Sequence, residues 1–166
     1  MYHIRKMTKK DITQVRRVAE ISWNATYEGI IPLEVQNNFL KEAYNSRNLK
    51  KRLKRTTVFV AETDDQVVGF ANYSNVSEDG IVILGAIYIY PEYQGMGIGS
   101  AFLSVGVEQL NNVKEIRLNV EKNNLIGMRF YEAKGFEFVK EYEEDFGGHI
   151  LHTIEMKLDV KESLKI

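Results

Sequence analysis

Residues 93 to 101, YQGMGIGSA, carry glycine at every second position: Gly95, Gly97 and Gly99. The run follows an apolar alternating stretch, GIVILGAIYIY (80–90), that stops at Pro91, and it opens a segment of helical spacing. At such a junction backbone N–H groups are unpaired and the helix dipole is positive. Glycine lets the backbone approach a ligand with no Cβ between them. The chemistry this pattern suits is anion binding, and phosphate is the usual anion. Two phosphate motifs fail. In GxGxxG the third glycine position is Ser100 counted from Gly95 and Phe102 counted from Gly97. The Lys-Ser or Lys-Thr that ends a P-loop is missing, so a nucleoside triphosphate is not the expected ligand.

Other side chains could work on a bound ligand. Tyr131 offers a phenol with an ordinary pKa of about 10, suited to protonating a thiolate. By spacing alone, Phe130-Tyr131 on a helix reads as core. Asn124 is placed to cap that helix. Trp23 and Tyr27 lie four apart on one helix face, as a core stripe or as an aromatic wall. Glu28 follows directly. The acidic stretch Glu141, Glu143, Glu144 and Asp145 precedes Phe146-Gly147-Gly148. A charge run is usually a solvated face, but here it also suits a cationic substrate. His149 and His152 fall on opposite faces of a strand, and there is no cysteine, so no metal site is expected. The missing cysteines also exclude disulfides and a thiol nucleophile.

The chain of 166 residues fits one domain, 1–166, with 44% hydrophobic and 27% charged residues. A formal net charge of −1 lacks the basic excess of a nucleic-acid binder. MYHIRKMTKKD is no secretory signal, and no stretch approaches the roughly 20 apolar residues of a membrane span. A soluble cytoplasmic protein, with no membrane or nucleic-acid partner, is the expectation.

The elements that must position these residues follow from periodicity. A short strand spans 2–6. Thr8 and Asp11 open a helix that carries Ile12, Val15, Val18, Ala19 and Ser22 and ends near Trp23 to Tyr27, before Gly29. A second helix runs from Pro32 to about Phe39. The basic segment 46–55 reads as a solvated helix anchored by Leu49 and Leu53, or as a patch near an anionic ligand. Strands at 57–62 and 66–76 flank a turn at 63–65, and a third strand spans 80–90. After the glycines come a largely buried helix to about Asn111 and a strand at 115–120. A helix capped by Asn124 then closes at Gly135, and strands at 136–144 and 150–158 end the chain. The order is that of an α/β, or α+β, single domain.

Two blocks carry a family resemblance. Gln94-Gly95-Met96-Gly97-Ile98-Gly99 is similar to the Q/R-x-x-G-x-G/A signature of the GNAT superfamily of N-acetyltransferases, within GAIYIYPEYQGMGIGSAFL. LNVEKNNLIGMRFYEAKGFEFV resembles that family's fifth strand, fourth helix and sixth strand. There Asn124, Tyr131 and Gly135-Phe136 fall on motif positions, whereas Gly127 stands where alanine is common. The resemblance implies a central mixed, mostly antiparallel sheet of about seven strands, flanked by helices and splayed between the fourth and fifth. It implies acetyl-CoA as acetyl donor and no metal. Amides from Gly95 to Ser100 (Gly95, Met96, Gly97, Ile98, Gly99, Ser100), beside Gln94, would cradle the pyrophosphate, and the backbone of Ile87, Tyr88 and Ile89 would take the pantetheine arm. Gly85 would mark the bulge that opens the sheet. Asn124 and Tyr131 would contact the cofactor, with Tyr131 as general acid for the CoA thiolate. A backbone N–H near Ile89 would serve the oxyanion.

The family glutamate base on the fourth strand has no counterpart, because 81–90 holds no acid. A water chain or an acid from elsewhere must serve; Glu28, Glu92 and Glu121 are the nearby acids. SWNATYEGIIP (22–32) resembles a bacterial GNAT subgroup, which makes Trp23, Tyr27, Glu28 and Phe146 the candidate acceptor-site residues. The implied activity is acetyl transfer to a primary amine of a small molecule. A protein or peptide N-acetyltransferase and a non-catalytic acyl-CoA-binding sensor are the alternatives. A homodimer is the family analogy, and oligomeric state stays open.

Overall fold

The computed structural model describes residues 1–160. Its elements are β1 (His3–Lys6), α1 (Ile12–Tyr27), α2 (Leu33–Ala43), α3 (Ser46–Arg55), β2 (Thr57–Thr63), β3 (Gln66–Tyr73), β4 (Ile81–Ile89), α4 (Ile98–Gln109), β5 (Glu115–Glu121), α5 (Leu125–Ala133), β6 (Glu137–Phe146) and β7 (His149–Asp159). The strands form one seven-stranded sheet in the order β1-β2-β3-β4-β5-β7-β6. All neighbours are antiparallel except β4 and β5. Apolar residues from both faces of the sheet make the core, with Phe59, Tyr73 and Phe102 among its fully buried rings.

Local chemistry sets the boundaries. Asp64 and Asp65 both take positive φ, forming a two-residue hairpin turn between β2 and β3; short polar side chains tolerate that region better than most. Helix α1 begins behind a 3₁₀ turn at Lys9–Asp11, where an Asp11 carboxylate oxygen accepts the Thr8 N–H at 2.8 Å. Both Asp11 oxygens also take the Arg5 guanidinium, at 2.8 and 2.9 Å, which ties β1 to α1. At the other end Gln36 Nε2 donates to the carbonyls of Tyr27 and Ile31, stopping α1 where the chain turns into α2.

Helix α3 is a solvated helix with Leu49 buried and Leu53 half-buried. Its Arg52 stacks on Tyr44 at 4.3 Å and donates to Asn72 and the Ala43 carbonyl. Helix α3 packs on β2, α1 and α2 and does not line the groove described next.

The irregularity that makes a site lies in β4. Asn72 pairs with Ala86 and Tyr73 with Leu84, so Gly85 is the extra residue of a bulge. Beside it, β4 pairs with β5 only over Ile81–Ile83 and Glu115–Arg117. Strand β5 continues to Glu121 on β7, while β4 continues on β3. The two strands therefore part, and the edge of β4 beyond the bulge has no partner.

Candidate active site

A groove of about 700 Å³ fills the gap between the parting strands. One wall is β4 with the glycine loop, the opposite wall is α5, and Ser22, Ala25 and Thr26 of α1 close one side. The backbone of β4 faces this groove in a defined way. Tyr90 N–H donates to the Val68 carbonyl at 2.9 Å, and the register continues through Tyr88↔Phe70 and Ile87↔Ala71. Alternate residues of an antiparallel ladder point to the partner. The N–H and C=O groups of Ile87 and Ile89 thus point away from β3, into the gap. Gln94 Nε2 donates to the Ile89 carbonyl at 3.2 Å and leaves the Ile89 N–H open.

The three glycines have different jobs. Gly95 (φ +78°) and Gly97 (φ +86°) hold the left-handed backbone that turns the chain into α4, with Gly97 as its N-cap. Gly99 is needed for packing: a Cβ there would come 2.8 Å from Cζ of Phe130 on α5. The loop lines one end of the groove, with Gly95, Gly97, Gly99 and Ser100 exposed to it. Ile98 is buried beneath the loop, and Met96 turns its side chain to solvent.

Helix α5 brings the second block to the same groove. Asn124 caps it by accepting the Gly127 N–H at 3.0 Å. Gly127 gives the asparagine its room, since a Cβ there would lie 2.6 Å from Asn124 Nδ2. The glycine at this position therefore serves the cap, beyond the slight weakening of the helix that its propensity suggests. Gly127, Phe130, Tyr131 and Lys134 follow at helical spacing and all line the groove. That same spacing is the sequence signal by which Phe130 and Lys134 could have been found.

Electrostatics at the inner end are set by phenols. Tyr131 is buried, and its phenol is pushed well above its ordinary pKa by desolvation, with Tyr27 and Tyr73 adding to the shift. Its hydroxyl makes no hydrogen bond among the described residues. Tyr88 is likewise raised by burial and by its neighbours Tyr27 and Tyr44. Tyr27 is raised by burial; hydrogen bonding to Tyr88 and Asn124 opposes that shift. All three phenols are therefore protonated at neutral pH; Tyr27 and Tyr88 are hydrogen-bonded to each other, which leaves Tyr131 as the groove phenol with a free hydroxyl.

The other sequence candidates are distributed less simply. Ile87, Tyr88, Ile89, Gln94 and Asn124 do line the groove. Trp23 packs on Tyr27, Phe39 and Phe146 at ring separations of 4.4, 4.6 and 5.9 Å. Trp23 and Tyr27 are thus core residues behind the groove, and Phe146 reaches them from the β6–β7 turn. Glu28 and Glu92 are exposed. Glu121 is buried, and its carboxylate is occupied: Oε1 accepts from Asn123 N–H and Nδ2 at 2.9 and 3.0 Å, and Oε2 from His152 N–H at 2.8 Å. It fixes the β5–α5 turn to β7. Among the described residues no group of three or more His, Cys, Asp or Glu could hold a metal ion, and no helix is long and apolar enough to cross a membrane.

An extended groove with a glycine-rich turn at a helix N-terminus at one end and protonated phenols at the other fits a long thioester whose anionic part lies far from its acyl group. Comparison with known proteins agrees. Residues 16–136 match the acetyltransferase (GNAT) family. This chain belongs to that family. It is accordingly an acetyl-CoA-dependent N-acetyltransferase. Among GNAT relatives, the spermidine N(1)-acetyltransferase of Thermoplasma acidophilum is 27% identical over 151 residues, covering 86% of this chain and 92% of that protein. The spermine/spermidine N(1)-acetyltransferase of Bacillus subtilis is 32% identical over 94 residues, 51% of this chain and 60% of that one. The crystal structure of PaiA N-acetyltransferase from Thermoplasma acidophilum in complex with coenzyme A superposes with a TM-score of 0.82 at 26% identity, covering 95% and 99% of the two chains.

Proposed function

We propose that this GNAT enzyme acetylates a primary amine of a small polycation, of the spermidine class, by direct attack of the amine on acetyl-CoA, with Tyr131 as general acid. The observation that carries the reading is one groove that joins the glycine loop, the unpaired edge of β4 and Tyr131. The loop amides and the α4 dipole bind the pyrophosphate. Ile87 and Ile89 offer backbone groups to the pantetheine amides, as a strand would. The Ile89 N–H stabilises the oxyanion of the tetrahedral intermediate. When that intermediate collapses, the C–S bond breaks, the Tyr131 hydroxyl donates to the leaving sulfur, and the amide nitrogen releases its extra proton to water.

Strand β4 holds no acid over 81–90, and Glu121 is occupied. Deprotonation of the incoming ammonium falls to solvent, so turnover should rise as pH approaches the amine's own pKa. The polyamine class is supported by the activities of the two relatives and by Glu141, Glu143, Glu144 and Asp145 on β6. Those carboxylates give long-range attraction to a polycation.

The test is release of CoA thiol from acetyl-CoA at mildly alkaline pH with spermidine, spermine, amino acids, aminoglycosides and short peptides. Release well above the acceptor-free rate, highest with the polyamines, is expected. A peptide or amino acid preferred over every polyamine would remove the acceptor assignment.

A further inference from the structure

Helix α3 carries charge of one sign only. Its ten residues hold Arg47, Lys50, Lys51, Arg52, Lys54 and Arg55 and no acid. The formal net charge of −1, which argues against a nucleic-acid binder for the chain as a whole, averages over this face, because the opposing acids lie on other elements, five of them on β6. The fold accounts for Arg52, which stacks on Tyr44 and donates to Asn72 and to the Ala43 carbonyl. The other five cations are exposed, and none is in an ion pair among the described residues.

Helix stability does not account for those five. A solvated helix face gains from opposite charges at i,i+4. Here Arg47 and Lys51, Lys50 and Lys54, and Lys51 and Arg55 are like charges at that spacing, and each such pair destabilises a helix. Cations in the last turn suit the negative end of the dipole, which explains Lys54 and Arg55. Arg47 lies in the first turn, where an acid is favoured and none is present. Beside the helix, Asn48, Lys51, Arg52, Arg55 and Thr56 line a hollow of about 270 Å³ that holds no carboxylate. The face therefore lacks a counter-ion within the protein.

We propose that the exposed face of α3 docks this protein on the phosphate backbone of nucleic acid, without preference for base sequence. Leu49 and Leu53 turn inward, and α3 exposes no apolar or aromatic side chain. Protein interfaces are centred on apolar and aromatic anchors and are poor in lysine, and a helix lying on a bilayer inserts an apolar face. A phosphate backbone asks only for cations that displace its condensed counter-ions. The helix is about 15 Å long, a length over which a duplex presents about nine phosphates. Helix α3 lies outside the groove, so docking leaves the acetyl-transfer site open.

The test titrates a short fluorescent DNA duplex with wild type and with the double variant Lys51→Gln, Arg55→Gln, reading anisotropy over a series of salt concentrations. Both positions are exposed, and the change removes like-charge repulsion, so an unchanged melting curve confirms the fold of the variant. Wild type should bind two unrelated duplex sequences equally, with log K falling against log salt at a slope of about −4 to −5, which is −0.9 for each of five cations. The variant should bind more weakly with a slope shallower by about 2, and its thiol release should be unchanged. Saturating CoA should leave the wild-type titration as it is. Four results overturn the inference: no binding by wild type at low salt, equal slope and affinity in the variant, displacement of the duplex by CoA, or tighter binding at the same salt to vesicles of phosphatidylserine and phosphatidylcholine or to polyglutamate.

Discussion

Replacing Tyr131 by phenylalanine removes one oxygen from the inner end of the groove, and the structure bounds what that should cost. The hydroxyl has no protein partner among the described residues, so the fold loses no hydrogen bond and the melting temperature should hardly move. Burial raises the phenol above its ordinary pKa, whereas a free thiol ionises at about 8.5. Complete proton transfer from Tyr131 to the thiolate is therefore uphill, and its contribution is better counted as a charge-assisted hydrogen bond to developing sulfur charge. Such a bond contributes about 1.5–3 kcal/mol, a factor of about 10–150 in kcat. The factor belongs to kcat because the sulfur carries this charge only as the bond breaks. Steady-state thiol release at saturating acetyl-CoA and polyamine measures it, with calorimetric CoA affinity as the control. The expected result is a kcat lower by that factor with affinity nearly unchanged. An unchanged kcat would return Tyr131 to the core. Equal losses in kcat and CoA affinity would show that the residue only positions the donor and makes no hydrogen bond to the leaving sulfur.

Two further predictions concern the scaffold. Gly106→Ala would place a Cβ 2.5 Å from Tyr73, which is fully buried and donates to the Phe102 carbonyl at 2.9 Å. Overpacking of about 1–3 kcal/mol set against a helix-propensity gain of about 1 kcal/mol leaves a net loss near 1 kcal/mol, which lowers Tm by about 2–4 °C; a scanning melt that finds equal or higher Tm contradicts that packing. The Arg5 guanidinium holds the Asp11 carboxyl below its ordinary pKa. A depressed carboxylate contributes stability above its unfolded pKa of about 3.9 and loses it as pH falls through the lower folded value. Stability should therefore decline through the acid range, and Asp11→Asn should be less stable at neutral pH with a flatter acid limb; parallel acid limbs in denaturant titrations would exclude Asp11 as a contributor.

Much of this was legible in the chain. Alternation placed every strand, and the Asp64-Asp65 turn and the Asn124 cap follow from residue type alone. The glycine run and the spacing of α5 located the groove because both are local signals. What stayed hidden depends on contacts between distant segments. Gly99 lines the groove, but it is also bare for the sake of Phe130, about thirty residues away. Trp23 and Tyr27 share a face, as spacing requires, but only the approach of Phe39 and Phe146 decides that the face is closed by other rings. Glu121 looked like a free acid beside the site until the return of β7 supplied the His152 N–H that occupies it.

The central claim is that the glycine loop carries the donor's pyrophosphate, and a pair of substitutions at Gly95 tests it. A Cβ at Gly95 meets nothing within 4 Å, and asparagine and aspartate both tolerate its positive φ better than other residues. The two variants differ in one unit of charge at the same place. Calorimetric titration with CoA should find Gly95→Asn binding close to wild type and Gly95→Asp weaker by about tenfold or more, since a carboxylate there opposes the phosphates. Equal affinity in the two variants would mean that no phosphate lies against this loop.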